Sequence, residues 1–192
     1  MSPSVRMLSF VLSLPMLGAP AAAQNSAAVS FAHVRTPNPE LRALMSVGVD
    51  VSPTLRGIVD RLESSDVVVL MDFRLLITPG VSGESSFISR AAGRRYLRVA
   101  IDSRISGAKL VGLIGHELQH AAEIAGEPSV VDHESLAAFY SRIGFISSAG
   151  GRNRFESAAA IEAGRRVMRD ATAHASDVDG AIGRVRKAAR AH

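Results

Sequence analysis

Three residues in the middle of the chain combine side-chain types and a spacing that can do chemistry: His116, Glu117 and His120, within His116-Glu117-Leu118-Gln119-His120. On a helix, positions i and i+4 lie about 40° apart around the axis, so both imidazoles leave one face and can grip a single ion. Glu117 stands beside that face, placed to take a proton from a metal-activated water without displacing a ligand. Imidazole and carboxylate ligation with one open position suits one Zn2+ ion. Burying two such histidines without a partner would be costly, which argues against a purely structural role. The implied chemistry is hydrolysis, with His116 and His120 as ligands and Glu117 as general base.

Composition narrows the alternatives. The chain has 192 residues, one ordinary domain's length, and its 47% apolar content with interspersed charges is globular. It contains no Cys, which excludes a thiol nucleophile, a thiolate-ligated zinc, an iron–sulfur cluster and disulfide staples. The net charge of +4 comes from scattered Arg residues without aromatic interleaving, so nucleic-acid binding has no footprint.

The elements that must position the triplet are legible from periodicity. Residues 1–23 read as a cleaved secretory signal: Arg6, an apolar run over 7–18, then Ala21 and Ala23 at the spacing signal peptidase accepts. The run carries Pro15 and is too short to span a bilayer, which takes about 20 residues. The chain is therefore expected to be exported, periplasmic or secreted, with no stable membrane anchor after cleavage. Residues 24–39 read as a flexible leader, and 40–192 as a single domain.

Ser52-Pro53 begins a helix that continues through Leu55, Ile58, Val59 and Leu62. Residues 66–73 form a buried strand, 81–86 a loop or weak hairpin, 87–88 a third short strand, and 96–101 another strand. Strand signals stop beyond Asp102, and four helices follow, over 108–125, 136–143, 155–171 and 178–191. The fold class is α+β: a small twisted sheet of two to three strands followed by a helical half that carries His116 and His120. Ala160, Gly164 and Val167, with Ile161 and Met168 beside them, read as a helix-packing stripe. The last helix, with Arg184, Arg186, Lys187 and Arg190, reads as a solvated terminal helix, and His33 and His192 as solvated residues near the ends.

The five residues 116–120 resemble the active helix of the zincin metallopeptidases, and residues 52–171 loosely resemble that superfamily's compact catalytic core. The resemblance implies a zinc-dependent metallopeptidase whose partner is a peptide or protein substrate, bound along an edge strand of the sheet, with 96–101 or 87–89 as candidates. A metzincin would carry Gly and His three and six residues after His120, where this chain has Glu123 and Gly126. The gluzincin branch instead takes a Glu from a later helix. Glu156, opening the third of the four helices among small neighbours, is favoured as the third ligand. Glu134 competes from behind a short turn, and Glu123, Asp132 and His133 remain alternatives, Glu123 more naturally as a group that orients an imidazole. An oxyanion stabiliser is expected among Tyr140, Arg154, His133 and His174. The competing reading is a non-catalytic periplasmic metal-binding or interaction protein that uses His116 and His120 structurally.

Overall fold

The computed structural model describes residues 31–146 and 155–191. Residues 1–23, read above as a signal sequence, most of the expected leader, Arg154 and His192 lie outside the described residues. The architecture is α+β, with six helices and a small mixed sheet among the described residues. No described helix is long and apolar enough to cross a membrane.

Two capped helices open the domain. In α1 (Pro39–Val51), Asn38 Oδ1 accepts from the amides of Glu40 and Leu41 at 2.9 and 3.1 Å, and Pro39 occupies the first turn, where its missing N–H costs nothing. The short strand β1 (Val34–Arg35) and the Asn38 cap and Pro39 start of this helix fall within the segment expected over 24–39 as a flexible leader. Asn-Pro there marks a helix start. Ser52 ends α1 and caps α2 (Pro53–Glu63), accepting from the Leu55 amide at 3.3 Å, and buries Leu55, Ile58, Val59 and Leu62 as the periodicity predicts.

The sheet comprises β1, β2 (Val67–Arg74), β3 (Gly83–Ala91) and β4 (Arg94–Asp102) in the order β1-β2-β4-β3. β1, β2 and β4 run parallel, and β3 returns antiparallel to β4. The β3–β4 hairpin closes on Ala92 and Gly93, both at positive φ, as a two-residue turn that matches strand twist requires. The loop or weak hairpin expected over 81–86 is thus mostly strand, continuous with 87–88 apart from a register shift between Phe87 and Ser89. Gly83-Glu84-Ser85-Ser86 has little β-propensity of its own, and its nonlocal pairing with β4 imposes the extended form.

Helix α3 (Gly107–Ala125), which carries residues 116–120, is the centre of the domain. Most of it is buried, and it packs against α2, α5, β3 and β4. α4 (His133–Ile143) starts earlier than the expected 136 because Asp132 caps it, accepting from the Ser135 amide at 2.8 Å in a capping box. Strands do not stop at Asp102: β5 (Phe145–Ile146) and β6 (Phe155–Glu156) form a two-residue antiparallel ladder. β6 leads into α5 (Ala158–Ala173), and α6 (Ala175–Ala189) buries Val178, Ala181 and Ile182, lies against α1 and pairs Arg186 with Glu40 at 3.1 Å. His33 is buried rather than solvated: its Nδ1 donates to the Leu62 carbonyl at 2.9 Å, and its Nε2 accepts from Arg94 at 2.6 Å.

Candidate metal centre

The two imidazoles leave the same face of α3, their ring centroids 4.9 Å apart and nearly perpendicular. Glu156 reaches them from β6, not from the first turn of α5 as its sequence neighbourhood suggests. Its Oε2 lies 3.2 Å from His116 Nε2 and 4.0 Å from His120 Nε2. The ladder with Phe145 fixes its backbone, and Gly144 permits the approach, since a Cβ there would lie 2.7 Å from the Glu156 carbonyl. The ligand atoms of His116, His120 and Glu156 all fall within 4.8 Å of one another, so the three could hold a metal ion. Two nitrogens and a carboxylate oxygen fit a divalent ion of intermediate softness.

Charge holds the group together. Burial pulls the His116 imidazole down, but the Glu156 hydrogen bond and the charges of Glu117, Glu156 and Glu123 outweigh it and leave it above its ordinary value. Burial pushes Glu156 up, and the bond to His116 with the two imidazole charges overcomes this, holding it below the usual carboxylate range. A divalent cation between the same atoms meets the same electrostatic demand.

Behind His120 lies a second layer. His120 Nδ1 faces Glu123 Oε2 at 3.2 Å and the Tyr140 hydroxyl at 3.0 Å. In a neutral His120 ring, donation from Nδ1 to the carboxylate would leave Nε2 as the lone-pair nitrogen on the Glu156 side. Glu123 Oε1 accepts from Ser157 Oγ at 2.6 Å, and the same hydroxyl accepts from the Ala160 amide to cap α5. Glu123 therefore touches no ligand atom of the group except through His120. Burial tends to raise its carboxyl, and the bonds from His120, Ser157 and Tyr140 keep it lowered.

Glu117 stands apart from the three. It is buried, and its Oε2 accepts from Ser85 Oγ at 2.8 Å. Gly83 passes directly over the carboxylate, and a Cβ at that position would collide with Glu117 Oε1. Burial pushes the Glu117 carboxyl up, against the opposing pull of His120, His116 and Ser85. β3 is thus both an edge of the sheet and a wall of the site, whereas β4, the other strand considered for peptide binding, lies inside the sheet.

The remaining sequence candidates disperse. Glu134 is exposed on the first turn of α4, and Asp132 is engaged as that helix's cap. The Tyr140 hydroxyl is bound by His120 and Glu123, and burial pushes its pKa far up, so it is a neutral brace behind the site. His174 is exposed at the α5–α6 junction, donating to the Asp170 carbonyl at 3.0 Å. His133 alone among the described oxyanion candidates has its ring on the cleft without a hydroxyl or carbonyl partner, edge-on to Phe87 at 6.2 Å.

A cleft of about 740 Å³ opens over His116, Glu117 and His120, with α3 as floor, β3 as one wall and α4, β6 and α5 as the other. Sequence reasoning missed Gly83, Ser85 and Ser157. The first two lie in a stretch that reads as a loop, and the third has only the signature of a helix cap. Against protein-family models, curated proteins and solved structures, the chain finds no match.

Proposed function

We propose that the protein is an exported, zinc-dependent metallohydrolase of gluzincin-like type that cleaves peptide bonds, with His116, His120 and Glu156 as ligands and Glu117 as general base. The observation that carries this reading is the division of labour among the carboxylates. Glu156 converges on both imidazole Nε2 atoms at 3.2 and 4.0 Å, while Glu117, next to His116 in sequence, is turned to the β3 wall. A bound zinc ion would supply Lewis acidity and make a water acidic enough to deprotonate near neutral pH.

The chain's own residues would do the rest. Glu117 accepts the proton of the attacking water and returns it to the departing amine. Its burial makes it a stronger base than a solvated carboxylate, and Ser85 holds the carboxylate in place through Oε2. The edge of β3 offers unpaired backbone groups to an extended peptide, which would align its scissile bond along the cleft floor. His133, which lines the cleft, would be the side chain to act on charge developing at the scissile carbonyl.

Glu117→Gln separates base from ligands. The variant is expected to bind one zinc per chain like the wild type, by elemental analysis, and to lose hydrolysis of a casein or quenched-peptide substrate by about 10²–10⁴-fold. Full activity in Glu117→Gln would sink the mechanism, and a wild type without stoichiometric metal would sink the site.

A further inference from the structure

The close contacts between α3 and α5 fix which residues share a level along the cleft. A Cβ on Gly112 would lie 2.6 Å from Met168 Cβ, one on Gly115 2.7 Å from Val167, and one on Gly164 2.9 Å from His116 Cβ, so α5 runs antiparallel to α3. Ile161, about one helical turn before Gly164, therefore stands on the His120 side of the centre and lines the cleft there. Ile124, one turn after His120, continues the floor in the same direction and is 1% exposed.

Helix α4 closes this end. At its first residue the His133 ring meets Phe87 of β3 at 6.2 Å. Near its last turn Tyr140 places its hydroxyl 3.0 Å from His120 Nδ1 and stacks its ring on Phe155 at 6.3 Å. Just past its end Gly144 lies against the Glu156 carbonyl. The helix thus crosses from the β3 wall to the β6 wall, and its 11 residues cover about 16 Å. His133, Leu136, Ala137 and Tyr140 line the cleft, and their spacing makes them one face of that helix. The Tyr140 hydroxyl is taken by His120 and Glu123, so between it and His133 the face presents Leu136 and Ala137. With Ile124 below and Phe155 and Ile161 on the far side, they make an apolar end that α4 bounds.

We infer that this end is a subsite for one large apolar side chain, of the Leu, Met or Phe type, on the residue next to the scissile bond, and that Ala137 sets its depth. The inference rests on the peptidase reading. An apolar side chain exchanges water for the surfaces of Ile124, Leu136, Phe155 and Ile161, whereas a charged one would surrender hydration against the same surfaces. Ala137 is exposed, and its methyl group is the smallest side chain on the face that α4 turns to the cleft.

The test uses zinc-loaded full-length protein and peptides varied at both residues flanking the cleaved bond, with products mapped by mass spectrometry. On one side of that bond, Leu, Met or Phe is expected to raise kcat/KM by about tenfold or more over Ala, Asp or Lys. Ala137→Phe fills the end with a ring and is expected to remove that preference and leave Ala or Gly favoured, with Ala137→Leu falling between. In parallel, calorimetry with acetohydroxamate, 4-methylpentanohydroxamate and 3-phenylpropanohydroxamate reads the same end without turnover. The two larger tails are expected to bind the wild type about tenfold or more tightly than acetohydroxamate, and to lose that advantage in Ala137→Phe. Cleavage with no apolar preference, or with one that both Ala137 variants leave unchanged, overturns the inference and leaves the peptidase reading standing. No cleavage of any peptide, with tail-dependent hydroxamate binding that Ala137→Phe removes, overturns the peptidase reading and keeps the subsite. Neither cleavage nor tail-dependent binding overturns both.

Discussion

Glu123 engages both its oxygens, one toward His120 Nδ1 at 3.2 Å and one with Ser157 Oγ at 2.6 Å. That makes it the link between the two halves of the candidate centre, because Ser157 directly follows Glu156 and caps the helix beyond it. A single carboxylate thus sets the tautomer of one imidazole and the backbone position of the carboxylate facing it. Glu123→Ala is expected to weaken zinc binding by about 10–100-fold, the range for losing a carboxylate that orients a ligating histidine. Competition against a chromogenic chelator measures this. Ser157→Ala should show a smaller loss, since it frees one Glu123 oxygen and leaves the His120 contact intact. Equal zinc affinity in wild type and Glu123→Ala would remove Glu123 from the site and return it to helix packing.

At the scale of elements, the centre depends on how closely α5 approaches α3. Three glycines permit it: Cβ atoms on Gly112, Gly115 and Gly164 would fall 2.6, 2.7 and 2.9 Å from Met168, Val167 and His116 respectively. Gly164→Ala also presses on the Gly112 carbonyl at 3.2 Å, which cannot rotate away as a side chain can. It is expected to destabilise the fold by about 1–3 kcal/mol and to displace His116 enough to weaken zinc binding. Gly57→Ala is the internal control. Its Cβ would meet nothing within 4 Å in the middle of α2, so the same substitution should stabilise by roughly 0.4–1 kcal/mol. Thermal or urea denaturation of the pair reads opposite signs, and the same sign in both would refute the close-approach account. This packing also marks how far sequence legibility extends. The stripe of Ala160, Gly164 and Val167 is visible as helical periodicity, and residues 116–120 declare their shared face through spacing alone. The partner glycines on α3 are not visible, because which small residues meet is decided by the helix crossing and not by either helix. β3 stayed hidden for a related reason: its polar, glycine-containing sequence becomes a strand only when β4 is alongside, so Ser85 over Glu117 could not be read from local pattern.

Across the whole molecule, the half that carries the sheet and the half that carries the cleft are pinned by one buried cation that sequence patterning does not reveal. Arg95, at the start of β4, is 2% exposed. Its Nε and Nη2 bind the two Asp66 oxygens at 2.8 and 2.7 Å, and its Nη1 donates to the carbonyls of Ile124, Glu127 and Val130 at 2.9, 2.7 and 3.2 Å. It therefore satisfies carbonyls at and just beyond the C-terminal end of α3, where a positive charge complements the helix dipole, and ties them to the strand that starts beside Asp66. Removing the Asp66 charge leaves a buried guanidinium without its counter-ion, so Asp66→Asn should lower the melting temperature at neutral pH. The Arg95 hydrogen bond is the main force holding the Asp66 carboxyl below the usual carboxylate range in the folded protein. A carboxyl depressed on folding contributes stability that is fully present above its unfolded pKa, about 3.9, and is lost as pH falls through the lower folded value. The melting-temperature gap between wild type and Asp66→Asn is thus expected to be constant from pH 8 to about pH 5 and to narrow as the pH is taken below about 4. Other lowered carboxylates, such as Glu127 and Asp132, titrate equally in both proteins and cancel in the difference. A gap as wide at pH 3 as at pH 7 would show that Asp66 acts through shape or neutral hydrogen bonding, and that the Arg95 charge is balanced by the helix end alone.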